Sequence, residues 1–241
     1  MSVVTSAMLL AAGLGTRMRP LDENRPKPLV ELCGKPLIDW VLDRVMQTGI
    51  ENIVVNTHYK ADQIQAHLAG RSDIQISHEE TLLETGGGVK KALPLLGDGP
   101  FLVVNSDAIW LDGPQPALAR LIAAWQPDAM DLLLMLQPTT WVTGYQGLGD
   151  YFLDTVGLAR RRTELEVAPY LFAGAQITTT AAFDGTPDGP FSFNRIFDRL
   201  EETERLFGLP HDGEWYHVGS PDELRAAEDE IMRGHTAVVT R

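Results

Sequence analysis

Cysteine is nearly absent from this 241-residue chain, where Cys33 stands alone. A lone thiol excludes an internal disulfide framework and a cysteine-rich zinc site, and it fits a reducing cytosol. Basic charge is scarce too: 20 Lys and Arg face 33 Asp and Glu, a formal net charge of −13. That balance argues against a surface that coats nucleic acid. No apolar run approaches the roughly 18 residues of a membrane span, and no Lys or Arg precedes Arg17, so residues 1–12 do not read as a signal peptide. Internal repeats, low-complexity stretches and linkers are also missing. What remains, 44% hydrophobic and 22% charged, describes an ordinary globular chain long enough to bury a large core. The expectation is one cytoplasmic domain over residues 1–241, with neither nucleic acid nor membrane as partner.

The scarce basic charge is unevenly placed. Residues 17–35 hold Arg17, Arg19, Arg25, Lys27 and Lys35 against Asp22, Glu23 and Glu31, while residues 1–16 carry no charged side chain. A +2 island therefore sits in front of a −15 remainder, which suggests a small anionic ligand held at the island.

Periodicity supplies the framework. SAMLLAA at 6–12 is a continuous apolar run ending at Gly13, as in a buried parallel strand. IVVNT at 53–57, IQISH at 74–78, FLVVN at 101–105 and DLLLMLQ at 131–137 read as further strands. Between them, helices are predicted over 36–49, 61–70, 87–97 and 116–125. Strands alternating with helices imply a doubly wound, mostly parallel α/β sheet. Such sheets bind ligands at the carboxyl ends of their strands, which points to the loops at 12–20 and 106–113. In the second part, GYQGLGDY at 144–151 is a Gly-rich loop and 171–179 a strand. A helix is predicted over 192–208, a short strand over 214–219, and a last helix capped by Ser220 with Pro221 at its first position.

The chemistry-bearing segment is LAAGLGTRMRP at 10–20, followed by RPKPLV at 25–30. A strand runs into a turn where Gly13 and Gly15 expose backbone N–H groups and let a nucleotide approach without a Cβ in the way. Arg17 offers a planar fork for phosphate oxygens and Lys27 a compact charge on a segment stiffened by Pro26 and Pro28. A dinucleotide fingerprint would need glycine where Met18 stands, and no G-K-[ST] ends the loop as in a P-loop.

L-A-A-G-x-G-T-R-x-x-P with a downstream P-K-P-L resembles the signature of the sugar-1-phosphate nucleotidyltransferases. Further similar segments follow in family order: GKPLI at 34–38, ETGGGVKKAL at 84–93, NSD at 105–107, FAG at 172–174 and WYHVGS at 215–220. The resemblance implies a Rossmann-like fold of the nucleotide-diphospho-sugar transferase type. Residues 1–140 or so would form a nucleotide-binding half, and about 141–241 a small sugar-binding region with the C-terminal helix. The implied reaction joins a nucleoside triphosphate to a sugar 1-phosphate and releases pyrophosphate. ETGGG and the compact length look most like the N-acetylmuramic acid 1-phosphate uridylyltransferases of cell-wall (peptidoglycan) recycling, which favours UTP. Transfer to mannose, glucose or heptose 1-phosphate, a non-catalytic nucleotide-sugar sensor, and the cytidylyl or molybdenum-cofactor type remain as alternatives.

The reaction unites two anions, so it needs charge neutralisation and alignment, and no protein nucleophile or base. No Ser-His-Asp or Cys-His set is evident. By resemblance, Ala12, Gly13, Gly15 and Thr16 wrap the triphosphate, Arg17 holds the departing pyrophosphate, and Lys27 neutralises charge at the α-phosphate. Asn105 bonds the nucleotide, and Gly86, Gly87 and Gly88 face base and ribose. Asp150 and Gly174 are expected at the sugar. Asp107 resembles the family's Mg²⁺ aspartate. Its usual partner, the Asp of W-x-D-V-G-[ST], is here His217, which suits Mn²⁺ better than Mg²⁺. His217 touching metal, His217 contacting phosphate and His217 as spacer all stay open. The other histidines, and Arg160, Arg161 and Arg162, read as structural or solvated.

Overall fold

The computed structural model describes residues 4–18, 24–143 and 145–239. Arg19, Pro20, Asp22, Glu23, Gly144 and the His235 side chain lie outside the described residues. In chain order the first half runs β1 (Ser6–Leu10), β2 (Glu31–Leu32), β3 (Lys35–Pro36), α1 (Leu37–Met46), β4 (Asn52–Thr57), α2 (Ala61–Leu68), β5 (Ile74–His78), α3 (Glu84–Leu96), β6 (Phe101–Asn105), β7 (Ile109–Leu111), α4 (Ala117–Ala124) and β8 (Leu132–Pro138). The second half adds β9 (Tyr151–Leu153), β10 (Ala159–Arg161), β11 (Tyr170–Thr178), α5 (Asn194–Glu202), β12 (Leu206–Pro210), β13 (Glu214–Tyr216) and α6 (Pro221–Val239).

The main sheet runs β5-β4-β1-β6-β11-β8-β12. All of these strands share one direction except β11, which is antiparallel to both β6 and β8. The β9–β10 hairpin joins at the start of β11, where Tyr170 pairs with Tyr151. The sheet is therefore doubly wound and mostly parallel, as expected, with β11 inserted between strands the sequence would place side by side.

Strands covered on both faces must be largely apolar, as β1, β4 and β6 are, whereas β5 at the sheet edge exposes Gln75 and His78. Ala7, Leu9, Ile53, Val55, Leu102 and Val104 point into one core with α1, α2 and α4, while Met8, Val54, Phe101 and Val103 point into another with α3 and α5. A third cluster matters most for function. Met18, Val30, Ile109, Tyr216, Val218, Leu224 and Ile231 pack together. They tie the loop after β1, the Lys27 segment, the β7–β13 ribbon and α6 into one unit.

Two expectations are corrected. The helix predicted over 192–208 ends at Glu202, and residues 206–210 form β12 instead. Glu204 takes a left-handed backbone (φ 55°), its N–H donates to Glu201 O, and the Arg205 N–H donates to Leu200 O. That is a Schellman stop without its usual glycine, so the sequence carries no stop signal before Gly208. The helix predicted from residue 87 starts three residues earlier, at Glu84. Ser220 caps α6 as expected: its Oγ accepts the Glu223 N–H at 3.4 Å, and the Glu223 carboxylate accepts the Gly219 N–H at 2.9 Å.

Candidate active site

Two cavities open beside the carboxyl ends of β1 and β6. The first, about 440 Å³, is lined by Ala11, Ala12, Gly13, Gly15, Asn56, Leu82, Glu84, Thr85 and Ser106, among others. The second, about 330 Å³, is lined by Arg17, Tyr145, Asp150, Phe172, Gly174, Trp215 and His217, among others. The residues that line both are Lys27, Asn105 and Asp107. The Lys27 ammonium pairs with the Asp107 carboxylate, their side chains 14% and 36% exposed.

The phosphate loop is shaped around Lys27. Gly15 holds φ +58°, and a Cβ there would stand 2.9 Å from Lys27 Cβ. Glycine is needed at this position both for the left-handed turn and for the close approach. Gly13 leaves free space beside the loop, since an added Cβ there would meet nothing within 4 Å. Thr16 begins a one-turn 3₁₀ helix, Thr16–Met18, whose Met18 anchors in the third core.

Asp107 and His217 stand far apart in sequence, and the β7–β13 ribbon brings them together. Tyr216 pairs with Ile109 and Trp215 with Trp110, so His217 leaves the ribbon where Asp107 enters it. Trp215 Nε1 donates to Ala173 O at 3.0 Å, clamping the ribbon against the bulge in β11. Burial, and then the Glu214 carboxylate that accepts its hydroxyl, push the Tyr216 phenol above its ordinary range. It stays neutral beside the site. His217 Nε2 lies 3.4 Å from Glu223 Oε1.

The donor set bears directly on a metal. Among the described residues no group of three His, Cys, Asp or Glu could hold one alone. Asp107 offers one carboxylate at the junction of the cavities. That suits a hard cation shared with substrate phosphates, and it does not suit an all-protein cage.

The remaining expected residues are placed as follows. Gly86 and Gly87 do not line the first cavity: their N–H groups donate to Phe191 O, at 2.9 and 3.1 Å. Added Cβ atoms would strike Phe191, Gly189 O, and for Gly88 the Glu79 and Asn56 side chains. These glycines are bare because protein packs against them, and the cavity wall there is Glu84 and Thr85. Gly174 (φ +87°) likewise makes room for Ala108, 2.7 Å from its would-be Cβ, while lining the second cavity. Arg17, expected on pyrophosphate, lines the second cavity, with Nη2 close to Gly219 and His217. Asp150 also lines that cavity, with one carboxylate oxygen taken by the Phe172 N–H at 2.8 Å.

The residues read as structural have structural partners. Arg160 pairs with Glu166, Arg161 with Asp198, and Arg162 Nε donates to Gly149 O at 2.9 Å. His67 pairs with Asp39, and His58 and His78 bond Glu79 O and Thr57.

Sequence reasoning missed a buried relay behind the first cavity. Asn56 Oδ1 accepts the Ala11 N–H at 2.7 Å, its Nδ2 donates to Glu79 Oε1 at 2.7 Å, and Glu79 Oε2 accepts the Leu83 N–H at 2.9 Å. Glu79 is fully buried. The relay bolts the loop after β1 to the segment that enters α3. A charged residue closing the apolar alternation of β5 was its one sequence signal.

Residues 6–146 match the family described as nucleotidyl transferase. Among curated relatives, the N-acetylmuramate alpha-1-phosphate uridylyltransferase of Caulobacter vibrioides is 47% identical, over 93% of this chain and 96% of its own. The protein of that name from Neisseria meningitidis serogroup B is 36% identical, over 92% and 96%. Among solved structures, a UDP-glucose pyrophosphorylase complexed with UDP-glucose superposes with a TM-score of 0.77 at 17% identity, over 96% of this chain and 100% of the other, a likeness of fold. The family match over residues 6–146 and the two relatives show that the chain belongs to the nucleotidyl transferase family.

Proposed function

We propose that the chain transfers a uridylyl group from UTP to N-acetylmuramic acid 1-phosphate, yielding the UDP-sugar and pyrophosphate. One observation carries the reading: two cavities sized for two small substrates meet at Lys27, Asn105 and Asp107. The first takes the nucleotide and the second the sugar phosphate. Both belong to one unit over 1–241 in this reading, and the second cavity draws on residues from both sides of position 140.

In this reading an oxygen of the sugar phosphate attacks the α-phosphorus of UTP in line. The bond to the β-phosphate oxygen breaks, and pyrophosphate leaves with the electron pair. The attacking oxygen is already ionised, so no base is needed. Ala12, Gly13, Gly15 and Thr16 present backbone N–H groups to the phosphates, Lys27 neutralises charge at the junction, and Asn105 bonds the nucleotide. Arg17, from its place in the second cavity, neutralises phosphate charge where the two substrates join. Asp150 uses its remaining oxygen on a sugar hydroxyl, and Gly174, in the bulge of β11, lets the sugar lie against the strand.

Mg²⁺, or Mn²⁺ where His217 contributes, would be held by Asp107 and would offset phosphate charge. UTP and the muramic acid derivative are favoured because the two relatives above bear that name. That substrate implies a place in peptidoglycan recycling and a cytoplasmic setting, where exposed Cys33 stays reduced.

The test is pyrophosphate release with UTP, GTP, CTP and dTTP against N-acetylmuramic acid, mannose, glucose and heptose 1-phosphates. The highest kcat/KM is expected for UTP with the muramic acid derivative. Preference for another pair would replace the substrate, and silence with every pair would remove the enzyme reading.

A further inference from the structure

Among the described residues, Cys33, Lys60, Glu84 and Glu204 are the non-glycine positions with a left-handed backbone. Side chains are rare there because Cβ crowds the following carbonyl oxygen. Of the four, Glu84 (φ 59°) is the one that lines either substrate cavity. Strain of this kind persists only where the surroundings hold it, and it clusters at functional sites.

Nothing in the fold asks for this side chain. Glu84 is exposed, and its carboxylate makes no hydrogen bond or ion pair with another described residue. Its neighbour Thr85 does, accepting the Phe193 N–H at 2.9 Å. Glycine would adopt the same backbone without strain. An acid in the first turn of a helix gains a little from the helix dipole, but residue 85 could provide that without a left-handed backbone.

Charge says which end of a ligand Glu84 meets. Lys27 is the cation lining the first cavity, and its partner Asp107 stands beside it. Phosphates are drawn to that side. Glu84 lines the same cavity from the start of α3, with an unpaired carboxylate. It repels phosphate, and as an acceptor only it selects a hydrogen-bond donor. We propose that Glu84 is a specificity-determining residue that accepts a hydrogen bond from the nucleoside end of the triphosphate, from either a ring N–H or a ribose hydroxyl. The proposal rests on the reading of the first cavity as the nucleotide site.

Calorimetric titration of the full chain separates the possibilities. The probes are UTP, inorganic tripolyphosphate, 2′,3′-dideoxyuridine triphosphate and 3-methyluridine triphosphate. Glu84→Gly is expected to weaken UTP about tenfold or more, the effect of one lost charge-assisted hydrogen bond. Tripolyphosphate should bind as well as before or tighter, and the melting temperature should not fall. Glu84→Gln, which keeps a carbonyl acceptor, should recover part of the UTP affinity.

If the loss vanishes with the dideoxy analogue, the donor is a ribose hydroxyl; if with the methylated base, it is the ring N–H. Unchanged UTP affinity in Glu84→Gly overturns the proposal. So does an equal loss for UTP and tripolyphosphate, which would mark a general disturbance of the cleft. Failure of the unaltered protein to bind any triphosphate would instead overturn the nucleotide reading itself.

Discussion

Lys27→Ala should separate catalysis from stability more sharply than any other single change. The Lys27–Asp107 pair is partly open to water, at 14% and 36% side-chain exposure. Pairs of that kind contribute about 1 kcal/mol or less to folding. Removing Lys27 leaves Asp107 able to reach solvent, so the 3–5 kcal/mol or so for a buried unpaired charge does not apply. For a domain of this size about 1 kcal/mol moves the melting temperature by roughly 2–4 °C. The barrier responds differently. Loss of a preorganised charge at developing phosphate charge costs about 3–4 kcal/mol, or 10²–10³ in kcat. The assay is pyrophosphate release at saturating substrates beside thermal unfolding by circular dichroism. Turnover within tenfold of the unaltered protein would refute the role of Lys27. A melting temperature lowered by more than about 10 °C would show the pair to be a structural bolt instead.

Other expectations follow from neighbouring geometry. Gly15→Ala forces a left-handed alanine, about 1–2 kcal/mol, with its Cβ 2.9 Å from Lys27 Cβ. It should lower the melting temperature by several degrees and turnover by about tenfold or more, whereas Gly13→Ala, in open space, should leave the melting temperature unchanged. His217→Asp should raise activity with Mg²⁺ relative to Mn²⁺, and an unchanged metal preference in the pyrophosphate assay would show that His217 does not take a ligand's place.

A further expectation concerns pH. His211 is 2% exposed and donates from Nε2 to Leu111 O at 3.1 Å, with Nδ1 unpartnered. Burial lowers its pKa, against smaller opposing effects from the Glu214 and Leu111 carbonyls and from Asp212 and Asp112. A base with a depressed folded pKa gives stability that is complete above its unfolded value, near 6.5, and lost as pH falls through the folded one. Melting temperatures from pH 8 to 5 should therefore fall on the acid side, less steeply in His211→Asn.

Local signals were legible in the sequence and distant pairings were not. The strands at 53–57, 74–78 and 101–105 fall where the sequence pattern placed them, and the loop carrying Gly13 and Gly15 opens onto the cavity as glycine chemistry required. Periodicity says nothing about partners, so the insertion of β11 between β6 and β8 was invisible. The three-residue strands of the β7–β13 ribbon were too short to register as a pair, yet they set Asp107 beside His217. Gly86–Gly88 shows a different limit. A glycine run announces a close approach without saying to what, and here the approaching groups are Phe191, Gly189 O and Glu79.

The central claim is that Lys27 and Asp107 stand where two substrates meet. Single-turnover mixing of excess enzyme with UTP labelled at the α-phosphate, N-acetylmuramic acid 1-phosphate and Mg²⁺ or Mn²⁺ tests it most directly. The account predicts that the label passes into a nucleotide sugar in step with pyrophosphate release, only when both substrates are present, and about 10²–10³ more slowly in Lys27→Ala. Label that reaches the protein first, or product formed at the same rate without Lys27, would contradict it.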